Sequence, residues 1–173
     1  GWDGVRSSNW ARAAVVAVPA PARTFEVIHV DHKGPLQRSD KYTNILVVVC
    51  ALTRFTLYIP VRGTTAEETH RTLLSRVFSV FGFPLVMISD NGPAFRSDLQ
   101  KQMASFFGFC HIPILPYNAQ ANGMAEASVK RIKLLLDRHT EGYQEWHRVL
   151  PLAQMQLNAH VHTGTDMSPF MAL

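Results

Sequence analysis

Apolar positions first fall into a pattern near Phe25. FEVIHVD (25–31) is a short β-rich run, and NILVVVCAL (44–52) is apolar at nearly every position. A strand with one wet face alternates apolar and polar residues, so an unbroken Val-dense run reads as a strand buried on both faces. FTLYIPV (55–61) follows after only Thr53 and Arg54, which predicts that these two runs pair as a hairpin. The period then changes. Leu73, Leu74, Val77, Phe78 and Phe81 recur at helical spacing. Thr64 or Thr65 can cap that helix, because Glu67 and Glu68 then fall in its first turn, and Gly82 stops it. PLVMIS (84–89) reads as another buried strand, Ser97 as the cap of a helix reaching about Phe107, and HIPIL (111–115) as a last short strand. Helices from about Asn122 to Arg138 and from about Tyr143 to His160 complete the chain. Trp146, Val149, Leu150, Ala153 and Leu157 give the second of these an apolar stripe of the kind that faces a core.

Three strands, then helix, strand, helix, strand and two helices predict an α/β fold, a mixed sheet with helices packed on it. Residues 1–23 mix Gly, Ser, Ala and Pro without periodicity and read as a leader or linker, leaving 24–173 as the folded unit. A chain of 173 residues suits one domain with a substantial core. Its 47% hydrophobic and 17% charged residues argue against disorder. The net charge of +4 permits a nucleic-acid partner without demanding one. Cys50 and Cys110 form no C-x-x-C pair, so no zinc or disulfide framework is expected, and a reducing, intracellular setting fits. ARAAVVAVPAPA (11–22) is too short and Pro-broken for a signal sequence, and no run approaches the ~20 apolar residues of a membrane helix.

Three acidic residues stand out by position. Asp31 ends the first strand, Asp90 ends the fourth, and Glu126 lies early in a helix that follows a loop. Strand ends and helix starts are rigid mounts that can aim side chains at one point. A lone Asp at a strand end is more often a turn or cap residue. Three carboxylates gathered together would repel unless divalent cations sat among them, and all-oxygen donors favour Mg²⁺, with Mn²⁺ as a substitute, over zinc. Two such ions, about 3.5–4 Å apart, suit in-line phosphoryl displacement. His29 alternates onto the face of Asp31, but three carboxylates already suffice for a hard ion.

The local contexts sharpen this. They are IHVDHKGPL around Asp31, ISDNGPAF around Asp90 and PYNAQANGMAE leading to Glu126, with 35 residues between Asp90 and Glu126. Together with NILVVVCALTRF, FGFPLVMISDNG, ANGMAEASVKRIK and LNAHVHTGTDMSPF, these resemble the integrases of retroviruses and gypsy-type long-terminal-repeat retrotransposons, over roughly Phe25 to Leu173. The resemblance implies a ribonuclease H-like fold with a five-stranded mixed sheet. It implies two-metal phosphoryl transfer by Asp31, Asp90 and Glu126: water attacks in the trimming of element DNA ends, and the freed 3′-oxygen attacks in joining to target DNA. A DNA partner, a homo-oligomer and action in the nucleus or a cytoplasmic pre-integration complex are implied as well, with no membrane and no small-molecule substrate.

Lys130, Arg131 and Lys133 follow Glu126 on its helix and could neutralise phosphates, although a solvated helix face is an equally good account of each. Asn118, Gln120 and Asn122 lie in the polar loop before that helix, where the family's side chains approach DNA; Asn122 could equally be a cap. Asn91, after Asp90, forms a tight turn with Gly92 and could also touch DNA. The chain departs from the family at four points. Cys50 stands where many relatives carry Asp, which predicts a lost local hydrogen bond or ion pair. Asn118-Ala119 replaces a common His-Pro pair, and Ala127 a common Arg. No zinc-binding His and Cys set precedes the core and no DNA-binding domain follows it, so an excised core, a gene fragment or a host-retained, non-catalytic binding or assembly module is the alternative expectation.

Overall fold

The computed structural model of the chain describes residues 20–114, 123–139, 145–160 and 166–173. Five strands form one sheet: β1 (Val27–Lys33), β2 (Asn44–Cys50), β3 (Thr56–Val61), β4 (Val86–Asp90) and β5 (Cys110–Ile114), in the order β3-β2-β1-β4-β5. β1 is antiparallel to β2, β2 to β3, and β4 runs parallel to both β1 and β5. The predicted hairpin is the β2–β3 pair. Its turn is closed by Phe55 and Cys50, and Thr53 Oγ1 accepts the Phe55 N–H.

The continuous apolar run at 44–50 has the cause expected of it. Leu46, Val48 and Cys50 point into one core with Ile28, Val30, Leu73, Val77 and Met87. Ile45, Val47 and Val49 point into the other, with Ile132, Leu136, Trp146 and Leu150. Helices cover both faces. On the first lie α1, a helical run over 66–81, and α3 (Asp98–Phe107). On the second lie α4 (Gly123–His139) and α5 (Trp146–Ala159). Two short helices, α2 (Pro93–Arg96) and α6 (Pro169–Ala172), were not foreseen from the pattern; both are single turns too short to show a period.

Caps and stops follow the local chemistry. Thr65, rather than Thr64, caps α1 through the Glu68 N–H, and Ser97 caps α3 through the Gln100 N–H. The middle of α1, Leu73–Phe78, winds as a π-helix, where Ser75 and Ser79 hydroxyls donate back to the carbonyls of Arg71 and Ser75. Trp146 is wholly buried, as its stripe predicted, and its indole N–H donates to the Gln37 carbonyl at 2.7 Å. Among the described residues no helix is long and apolar enough to cross a membrane.

β3 is an edge strand, and α5 serves its open side. Asn158 Oδ1 accepts the Thr56 N–H and its amide donates to the Thr56 carbonyl, both at 2.9 Å; Gln154 Oε1 accepts the Tyr58 N–H at 2.9 Å. Four residues of helix rise about 6.0 Å and two of strand about 6.7 Å, so amides four apart on α5 meet strand donors two apart. Asn158→Leu, at this fully buried position, leaves two backbone groups without partners. It should cost about 2–4 kcal/mol in urea denaturation, whereas Leu152→Ala on the exposed side of α5 should cost under about 0.5 kcal/mol.

Candidate active site

Parallel pairing of β1 with β4 sets the first two carboxylates. Val30 is level with Ser89, so Asp31 and Asp90 stand one step further along, at neighbouring positions on one face of the sheet. Asp31 also lies opposite Val47, whose side chain enters the core beneath α4 and α5. The face is therefore the one α4 covers, and Glu126 sits in the first turn of α4. Ile132 and Leu136, buried on that helix, dock it against the sheet.

Asp31 is half-buried, and its carboxyl is pushed up to about 6 from 3.8. Loss of water does most of this. The charge of Asp90 adds to it and that of Glu126 adds less, while the His32 N–H, 2.8 Å from Oδ1, and the Lys33 charge pull the other way. Asp90 and Glu126 are thus both within electrostatic reach of Asp31. Among the described residues, however, no three His, Cys, Asp or Glu side chains are gathered closely enough to hold a metal ion together. By chemistry the donor set fits a hard divalent cation: three carboxylates, one of them reluctant to ionise beside the others.

Asp90 is held from its own turn. Its Oδ1 accepts the Gly92 N–H at 2.9 Å, and a Cβ at Gly92 would lie 2.9 Å from that same oxygen. A side chain here would push the Asp90 carboxylate aside, although the φ of −64° is open to any residue. Gly92 then caps α2, with Pro93 in the first turn. The tight turn predicted at Asn91-Gly92 is thus present, with Asn91 exposed.

Lys130 and Lys133 are exposed on α4, four and seven residues after Glu126. Arg131 is also exposed but its charge reaches the buried Tyr58 hydroxyl, which donates to the Ser128 carbonyl at 2.9 Å. That places it round the helix from the Glu126 row. Asn118, Gln120 and Asn122 lie outside the described residues, as do Ala119 and residues 1–19. His29 is buried one pleat below Asp31 on the same face. Cys50 is buried, and its Sγ accepts the Phe25 N–H at 3.2 Å.

Sequence reasoning missed a polar layer on the opposite face. His32 Nε2 meets Thr69 Oγ1 at 3.0 Å, His70 Nε2 meets Gln100 Oε1 at 2.5 Å, and His111 Nε2 meets Ser89 Oγ at 2.8 Å. These pairs are 37, 30 and 22 positions apart in the chain, so no local period marks them.

No family model matches the chain. It is 30% identical over 155 residues, 88% of its length, to the Tf2-3 and Tf2-4 transposon polyproteins of Schizosaccharomyces pombe, and spans 12% of their length. Among solved structures it superposes on a chain of the simian T-cell lymphotropic virus intasome bound to the PP2A regulatory subunit B56 gamma, with a TM-score of 0.74, 18% identity, and coverage of 89% of this chain and 56% of that one. It superposes on the magnesium-bound HTLV-2 integrase catalytic core domain, in its trimeric form, with a TM-score of 0.69, 19% identity, and coverage of 88% and 99%. The fold is therefore the ribonuclease H-like fold of integrase cores. Over most of its length the chain is thus similar in sequence to retrotransposon polyproteins and similar in fold to retroviral integrase catalytic cores.

The crowding of Asp31 has a measurable sign. Its raised pKa means that wild-type protein free of metal loses stability as pH rises from about 4 through about 6. Asp31→Asn carries no such charge. It should be more stable than wild type by about 1–3 kcal/mol at pH 7.5, with the gap closing below pH 4. Denaturation curves in EDTA across that range check this, and a gap that persists at pH 4 would assign the effect to packing.

Proposed function

We propose that this chain is the catalytic core of a DNA-joining enzyme, a metal-dependent polynucleotidyl transferase and endonuclease in which Asp31, Asp90 and Glu126 hold two Mg²⁺ ions, with Mn²⁺ able to substitute. The observation that carries this reading is that Asp31 and Asp90 follow level positions on paired strands, with the charge of Glu126 on α4 also reaching Asp31. When bound, the ions would activate the attacking oxygen and stabilise the leaving one. The protein's own part is placement. β1 and β4 fix two carboxylates by backbone pairing, and α4 brings the third together with Lys130 and Lys133, which suit phosphate oxygens flanking the reacting bond. Asn91, and Asn118, Gln120 and Asn122 from the loop before α4, would complete the DNA contacts, with Arg131 the least favourably placed. The substrates would be element-end DNA, trimmed and then joined to a target duplex, with work done by a multimer in the nucleus or a pre-integration complex. The intasome and the trimeric and dimeric HTLV-2 cores support the multimer.

A second reading has one observation in its favour. The described acidic residues do not close into a ligating group. A non-catalytic DNA-binding or assembly module derived from an integrase would need only the basic row of α4.

Reversal of joining on a branched DNA substrate separates the two, because it asks least of any flanking domain. Wild type with Mn²⁺ should resolve the branch, and Glu126→Gln should lower the rate by about 100-fold or more. Equal silence from both folded proteins, with DNA binding retained, would establish the second reading instead.

The cation row gives a separate check. Lys130→Ala and Lys133→Ala should each lower the slope of log affinity against log salt by about 0.9, while Arg131→Ala should change it by less than half of that. Equal slopes for all three would remove the assignment of Lys130 and Lys133 to DNA.

A further inference from the structure

The strand that carries Asp90 has two faces, and the acidic corner uses only one. Ser89, one residue earlier, points to the other and is fully buried. Its hydroxyl lies 2.8 Å from the carbonyl oxygen of Asp90 and 2.8 Å from His111 Nε2 on the adjacent β5. A serine hydroxyl has one proton. Donated to the Asp90 carbonyl, it leaves Oγ to accept, and His111 must then present Nε2–H. Burial, and to a lesser degree the charge of His70, hold His111 down to about 4, so near neutral pH the ring carries a single proton, which this arrangement places on Nε2.

We propose that His111, acting through Ser89, is a positioning residue for Asp90. A chain of hydrogen bonds runs from His111 Nε2–H to Ser89 Oγ–H to the Asp90 carbonyl. It fixes the peptide plane from which the Asp90 carboxylate projects to the opposite face. On that face the Gly92 N–H fixes Oδ1. Asp90 is thereby held at both its backbone and its side chain, with Oδ2 left for a cation. The end of β4 needs this support because the strand stops at Asp90. Beyond it the chain turns into α2. Neither His111 nor Ser89 touches substrate or metal, so their effect is on the aim of the carboxylate.

This inference rests on the reading of Asp31, Asp90 and Glu126 as metal ligands, and its test separates the two. Mn²⁺ binding is measured by electron paramagnetic resonance on the full chain without DNA, for wild type, His111→Leu, His111→Gln, Ser89→Ala and the His111→Leu/Ser89→Ala pair. Circular dichroism confirms that each is folded. His111 is only partly buried and Ser89→Ala removes one atom, so both substitutions are tolerable to the core. The two single losses should each weaken Mn²⁺ binding by about 10-fold. The pair should be no weaker than either alone, because one chain of bonds is broken once. His111→Gln, whose terminal amide keeps a donor near the place of Nε2, should recover binding to within about 3-fold of wild type. Wild-type affinity in His111→Leu, additive losses in the pair, or a Gln variant as weak as Leu would overturn the proposal while leaving the metal site standing. A wild type that binds no Mn²⁺ would overturn the metal site and this inference with it.

Discussion

Between Leu46 and Val48 on one side and Val47 and Val49 on the other, β2 offers water no face. Sliding it by one residue against β1 would exchange two complete sets of core contacts, and sliding by two would strand Asn44 or Cys50 beyond its partners. That double burial fixes the register of the sheet's centre, and the register fixes where β1 ends relative to β4. Asp31 and Asp90 become neighbours because Val30 is level with Ser89. The site is an outcome of core packing before it is a matter of charge.

Charge then works against the fold that made the site. Asp31 loses water and faces two other carboxylates, and only the His32 N–H and Lys33 ease it. Such an arrangement stores electrostatic strain, which a cation would relieve and which the apolar layers on either side sustain. The rigidity shown at Asp90, with Gly92 tied to Oδ1 and Ser89 to the carbonyl, keeps that strain from relaxing by rotation of the side chain. Glu126 is mounted differently, on a helix docked by Ile132 and Leu136, so its distance from the other two depends on how α4 seats on the sheet.

Much of this was legible in the chain itself, because the signals were local. The unbroken run at 44–50 and the caps at Thr65 and Ser97 each carry their cause within a few residues, and the hairpin was legible although its connection is 51–55 rather than Thr53-Arg54 alone. The three carboxylates could be named because their neighbours, Asp90-Asn91-Gly92 above all, form a recognisable context. What could not be read is whatever depends on distant partners. His111 meets Ser89 only because β5 pairs with β4, and the amides of Asn158 and Gln154 find β3 across roughly a hundred positions of chain. The single-turn helices α2 and α6 are too short to leave a period. Arg131 looked like its neighbours Lys130 and Lys133 in sequence, and only the helix's rotation on the sheet turned it toward Tyr58.

The amide clamp on β3 bears on how copies of such a chain could meet. The outward N–H groups of Thr56 and Tyr58 are already taken by Asn158 and Gln154, and the next outward position is Pro60, which has none to give. Four residues back along α5 from Gln154 stands Leu150, apolar, where no donor waits to be met. An approaching strand would find no free donor at positions 56, 58 and 60, so the sheet cannot grow outward there into a continuous ribbon shared between molecules. Self-assembly through this side is left to helix surfaces, whose contacts can close into a finite ring or pair, whereas open strand edges propagate without end.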